Sequence, residues 1–158
     1  MTELGPSARR VQEAIISAGL ECRVVELPAS TRTAQEAADA IGCDVSQIVK
    51  SLVFRGRQSG KGIFVAASGS NRVNEKRLKD YAGEGIEKAS PEFVRETTGF
   101  AIGGVAPVAH LQALECYIDQ DLLGYGELWA AAGTPNAVFR LAPGDLTRLS
   151  SGRVVDIT

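Results

Sequence analysis

Histidine is almost missing from this 158-residue chain; His110 is the only one. That argues against a histidine-based metal centre. It also means that a Ser-His-Asp or Cys-His relay would have to be built on that single residue. Cysteine is nearly as sparse. Cys22, Cys43 and Cys116 are scattered singly, odd in number and without a C-x-x-C pair. They support neither a disulfide framework nor a zinc site and read as small core residues. No apolar run is long enough to span a bilayer. The opening Met1-Thr2-Glu3-Leu4-Gly5-Pro6 lacks the basic-then-apolar order of a secretion signal, so a cytoplasmic location is expected. Positive charge is not in excess either. The formal net charge is −2, which does not suit a protein that holds nucleic acid by bulk electrostatics. Neither G-x-G-x-x-G nor G-x-x-x-x-G-K-[ST] occurs, so a nucleotide cofactor has no footing. Repeats, low-complexity stretches and linkers are absent as well.

What remains is a composition of 44% apolar and 23% charged residues. It fits one soluble, globular domain over residues 1–158 with a sizeable core. Helix signals cover 6–19, with a Val11, Ala14, Ile15, Ala18 stripe closed by Gly19. They cover 33–41, with Thr33 and Glu36 at capping-box spacing and Gly42 as terminator. Two more follow Asn74 (to Tyr81) and Ser90-Pro91 (to Gly99), and 145–149 reads as a closing helical turn. Strand signals fall at 22–27, 48–54, 63–67, 86–88, parts of 100–108, 114–119, 127–132, 137–141 and 154–157. The rhythm is too irregular for a doubly wound sheet. It predicts an α+β fold: a mixed, largely antiparallel sheet with flanking helices.

Lys50 stands out. In Ile48-Val49-Lys50-Ser51-Leu52-Val53-Phe54, alternation sets it on the face of Ile48, Leu52 and Phe54, the apolar one. An ammonium there must snorkel to water, be paired, or reach a polar cavity. Its functional readings are a Schiff-base nucleophile, a general base of lowered pKa, or a fixed cation for a phosphate or developing oxyanion. The residues alone leave these open. A second feature is Gly103-Gly104-Val105-Ala106-Pro107, a loop with little side-chain bulk. It is either a tight turn or a bare stretch of N–H groups able to hold a carbonyl. A third is Ala132-Gly133-Thr134-Pro135-Asn136, a Pro-Asn turn whose Thr134 and Asn136 could supply neutral hydrogen-bond groups to a pocket wall. His110 reads as structural or exposed rather than catalytic, and Trp129 as core rather than a base-stacking platform. The basic runs Arg55, Arg57, Lys61 and Arg72, Lys76, Arg77, Lys79 read as solvated faces.

Three of these segments, with Thr31–Ala38 and Leu141-Ala142-Pro143-Gly144-Asp145-Leu146, occur in an order and spacing that resemble the YbaK/prolyl-tRNA-synthetase-associated editing-domain family, from about residue 8 to residue 156. The resemblance implies a trans-acting aminoacyl-tRNA deacylase, one that hydrolyses the ester of mischarged tRNA. Its expected partners are aminoacyl-tRNA, tRNA(Pro) above all, and a prolyl-tRNA synthetase. It implies no cofactor and no metal, and water activated largely by the substrate's own groups. The family's essential lysine falls on Lys50, and its G-x-x-x-P substrate-binding loop on Gly103, Gly104, Val105, Ala106 and Pro107. Thr134 and Asn136 become further pocket candidates. Where cysteinyl-tRNA-clearing members carry an acidic residue, this chain has Val138. The Gly-Thr-Pro-Asn turn is closer to groups handling alanine, serine or threonine. A non-catalytic tRNA- or synthetase-binding module of the same fold is the competing expectation.

Overall fold

The computed structural model describes residues 4–29, 31 and 33–158. Met1–Glu3, part of the segment read above for a secretion signal, lie outside the described residues, as do Ser30 and Arg32. The helices are α1 (Pro6–Ser17), α2 (Ala34–Ile41), α3 (Glu75–Ala82), α4 (Pro91–Thr98) and α5 (Pro143–Ser150). The strands are β1 (Val24–Glu26), β2 (Ile48–Gly56), β3 (Gly62–Ser68), β4 (Ile86–Lys88), β5 (Glu115–Asp119), β6 (Leu128–Ala131), β7 (Ala137–Leu141) and β8 (Arg153–Val155). All the strands join one sheet in the order β1-β7-β6-β2-β3-β5-β8, with β4 also paired to β2. The expected α+β architecture is present, and the sheet is mixed. β1–β7, β2–β3, β2–β4 and β6–β7 are antiparallel, whereas β2–β6, β3–β5 and β5–β8 are parallel.

Local chemistry accounts for the helix ends. Thr33 Oγ1 accepts the Glu36 N–H at 3.1 Å, and Asn74 Oδ1 accepts the N–H groups of Lys76 and Arg77. Gly42, Gly83 and Gly99 close α2, α3 and α4 in the left-handed conformation. The pleat sorts β2 as alternation predicts. Val49 and Val53 join Phe64 and Ala66 in a core against α1, α4 and α5, which contribute Val11, Val94 and Leu146. Phe54 and Leu52 lie with Ile63, Val65 and Ala67 against Leu78 of α3, and Ile48 meets Ala37 and Ala38 of α2. Lys50, in register with Ala67, therefore belongs to the α2/α3 face.

Three expectations need correcting. The apolar stretch 100–108 contains no strand. Its carbonyls turn inward instead, Ala101 O to the Gly104 N–H and Ala106 O to His110. The strand expected over 22–27 shrinks to Val24–Glu26, because Gln12 of α1 takes the Cys22 carbonyl and the Val24 N–H at 3.0 and 2.8 Å. The closing turn grows into α5, whose Asp145 accepts the Ala142 N–H at 3.0 Å.

Candidate active site

Strand β2 has an unfilled edge. Its even residues face β3, as the bonds Gly69 N–H to Ile48 O (2.8 Å) and Gly56 N–H to Lys61 O (2.9 Å) show. Its odd residues face the other way, where Ala89 N–H reaches Val53 O at 3.1 Å and Arg57 N–H reaches Gly85 O at 2.8 Å. On that second side β6 pairs only at Ile48 and Val49, and β4 only from Phe54 to Gly56. The peptide groups of Ser51 therefore look into a gap between two partner strands.

Two cavities open at this gap. The smaller, about 390 Å³, lies between α2 and the sheet. Ala34 and Ala37 of α2, Ile48, Trp129, Pro135 and Val138 border it. The larger, about 660 Å³, runs toward α3 and β4, past Arg72, Glu75 and Lys88. Lys50, Ser51, Leu52, Ile102, Gly103 and Val105 border both. The strand lysine and the glycine loop thus meet at one place, although they are some fifty residues apart in sequence.

Lys50 is half-buried and donates its ammonium to the Asn71 carbonyl. Its pKa is lowered from the ordinary lysine value by burial and by the nearby Arg72 guanidinium, against the opposing pull of Asp119. Two cations sharing a cavity rim leave a positive field for an anion.

The two loop glycines serve different ends. Gly103 has φ +94°, and a Cβ there would meet nothing within 4 Å, so conformation calls for glycine. A Cβ at Gly104 would sit 2.8 Å from Thr134 Cα and 2.9 Å from Thr134 N, so close approach calls for it. Val105, Ala106 and Pro107 are buried, which roots the loop in the core. Behind it, His110 Nε2 lies 2.7 Å from the Ala106 carbonyl, and its ring packs 5.0 Å from Phe64. Arg10 of α1 reaches the carbonyls of Thr98 and Ala109 and covers the Phe100 ring at 4.1 Å. Burial is the largest effect lowering the His110 pKa, and Arg10 adds to it. His110 is thus a strut behind the loop, as its solitary occurrence suggested.

Thr134 and Asn136 are not among the residues bordering either cavity. Thr134 Oγ1 bonds to Asn136 Oδ1 and the Ala137 N–H, while Asn136 bonds to Leu27. They brace the wall, and their neighbours Pro135, Ala137 and Val138 line it. Of the basic runs, Lys61 and Arg77 pair with carboxylates and Arg57 with a carbonyl, but Arg72 borders the larger cavity, as does Lys88 from outside the runs.

Ser51 carried no signal in the sequence, and Trp129, read as core, does pack against Ala37, Ala38 and Ile48. Both border the smaller cavity, and Ser51 Oγ and Trp129 Nε1 are buried with no hydrogen-bond partner among the described residues. Leaving such a group unpaired costs about 1–3 kcal/mol, a loss that a polar ligand would recover. The strand gap that makes Ser51 informative is a product of sheet pairing, and no local sequence signal announces it.

The fold and the sequence together make this chain a member of the aminoacyl-tRNA editing-domain family. The family model matches residues 28–149. A solved structure described as a candidate trans-editing enzyme for prolyl-tRNA synthetase superposes with a TM-score of 0.93 at 52% identity, covering 99% of each chain. The protein YwhH of Bacillus subtilis, itself uncharacterized, is 34% identical over 131 residues, 83% of each chain. EbsC of Enterococcus faecalis, named as a candidate Cys-tRNA(Pro)/Cys-tRNA(Cys) deacylase, is 25% identical over 80% of this chain and 77% of its own.

Proposed function

We propose that this chain is a trans-acting aminoacyl-tRNA deacylase whose favoured substrate is tRNA(Pro) carrying alanine, serine or threonine. One observation carries the reading: Lys50, Gly103 and Val105 border the same two cavities at the β2 gap. The smaller cavity receives the amino-acid side chain. Its wall is apolar at Val138, Ala37 and Ala130 and offers Ser51 and Trp129 as hydrogen-bond groups. The larger receives the terminal nucleotide, with Arg72, Lys88 and Lys50 arranged for its phosphate. The main-chain N–H groups of Gly103 and Val105, the loop residues that border both cavities, hold the ester carbonyl and stabilise the oxyanion that forms on it.

In this reaction a water oxygen bonds to the carbonyl carbon, and the bond from that carbon to the ribose oxygen breaks. The ribose oxygen takes up a proton, and the products are the free amino acid and the uncharged tRNA end. The family resemblance implies water activated largely by the substrate's own groups, which suits a smaller cavity that neither carboxylate nor imidazole borders among the described residues. Lys50 acts as a fixed cation. The whole chain, 1–158, works as one editing domain in the cytoplasm on tRNA charged by a prolyl-tRNA synthetase, and the reading calls on no metal or cofactor.

The test is deacylation of tRNA(Pro) charged in turn with alanine, serine, threonine, cysteine and proline. At least one of the first three is hydrolysed fastest and proline is spared. Stability of all five esters refutes the reading and leaves a binding module.

A further inference from the structure

Among the described residues, Asp119 is the only charged side chain that is fully buried, with 1% exposure. It ends β5, away from the cavity linings described above. A carboxylate is costly to bury unless donors surround it. Here Oδ2 accepts the Ser68 N–H at 3.0 Å and an Asn71 Nδ2 hydrogen at 2.8 Å, and Oδ1 accepts the Asp121 N–H at 2.9 Å. Three donors converge on two oxygens, and a neutral amide could satisfy only part of that set.

The converging groups share a purpose. Ser68 and Asn71 begin and end the turn after β3, closed by Asn71 N–H to Ser68 O at 2.9 Å. Ser68 Oγ anchors it to Ser46 O at 2.7 Å, and Asn71 Nδ2 also reaches Asp121 Oδ2 at 2.8 Å. The carbonyl at the end of this turn is the one that receives the Lys50 ammonium. We infer that Asp119 is a positioning residue for Lys50: through Ser68 and Asn71 it fixes the carbonyl that aims the amine. Its consequence for turnover rests on the reading of Lys50 as a substrate-contacting cation. The charged groups around the amine are Arg72, before α3, and Asp119 at the end of β5, which act on it in opposite senses. Asp121 lies beyond Asn71, and Glu75, at the start of α3, and Lys88 of β4 border the larger cavity with Lys50.

The experiment compares wild type with Asp119→Asn in two assays. In the first, the rate at which an amine-directed acylating reagent labels Lys50 is followed against pH by mass spectrometry, without substrate. Loss of the carboxylate disfavours the ammonium, so the Lys50 labelling curve moves to lower pH. In the second, kcat/KM for deacylation falls about ten- to a hundredfold, the scale of a lost charge-assisted contact, and its high-pH limb moves down with the labelling curve. A folded Asp119→Asn protein with wild-type labelling overturns the inference, whatever the deacylation result. Should that variant not fold, Asn71→Ala serves. It frees the turn and keeps the carboxylate, so Lys50 labels faster and kcat/KM drops; no change in labelling overturns the inference. Wild type inert on every aminoacyl-tRNA, with the labelling shift intact, would instead refute the deacylase reading alone.

Discussion

Replacing Gly104 by alanine is a sharp test of how the site is assembled. The added Cβ would stand 2.8–3.0 Å from Thr134 Cα, Thr134 N and Gly133 C, all main-chain atoms of a turn that is itself tied down. No flexible side chain can yield, so the two loops must part by about half an ångström to reach ordinary contact. Overpacking of this kind costs about 1–3 kcal/mol, which for a chain of this size lowers Tm by roughly 2–12 °C. Catalysis should suffer more than stability. A misplacement of ~1 Å at reacting groups can cost about a hundredfold, so half that shift predicts a loss of roughly tenfold in kcat/KM. Differential scanning calorimetry and a single-turnover deacylation assay read the two effects separately. Gly103→Ala is the internal control. It meets no atom within 4 Å, so its cost is only the backbone strain of φ +94°. A Gly104→Ala protein with unaltered Tm and turnover would refute the idea that the loop is held against the Thr134 turn.

Three further outcomes are expected. Lys50→Ala should cut kcat/KM by about 10²–10³ yet leave Tm equal or higher, since burial and Arg72 make the folded ammonium a cost; a lower Tm with full activity would contradict both halves. His110 titrates below 6.5, chiefly because it is buried, so the unfolded chain takes up a proton that the folded one refuses. The stability contributed by neutral His110 is complete above pH 6.5 and is lost as pH falls from there through the folded value. A urea midpoint that drops between pH 7.5 and 5.5 in wild type but not in His110→Gln supports this, and parallel curves exclude it. Burial pushes the Cys116 thiol up to about 11, and burial also raises Cys22 and Cys43, with help from Asp145 and Glu127. At pH 7 only ~10⁻⁴ of Cys116 is thiolate. Alkylation should therefore be slow at all three and slowest at Cys116; rapid modification of Cys116 would be inconsistent with that environment.

Much of this protein was legible along the chain because the deciding interactions are local. Thr33, Asn74 and Ser90 cap helices through bonds to residues two or three positions on. Gly42, Gly83 and Gly99 stop helices through their own φ, and the period-two pattern of Ile48–Phe54 puts Lys50 on the α2/α3 face. Other features depend on residues far apart in sequence. Gln12 shortens β1 by taking backbone groups ten and twelve positions away. The break between β6 and β4 along β2 turns Ser51 toward a cavity. Thr134 and Asn136, chemically suited to a pocket, face each other because the β1–α2 connection needs bracing. Asp119 is buried beside a turn forty-eight residues upstream that holds the Lys50 ammonium. Periodicity, caps and turn residues are short-range energetics, and the chain by itself determined them. Which strand edges stay open, and which charges are forced together out of water, are settled only when distant segments compete for the same space and the same hydrogen bonds.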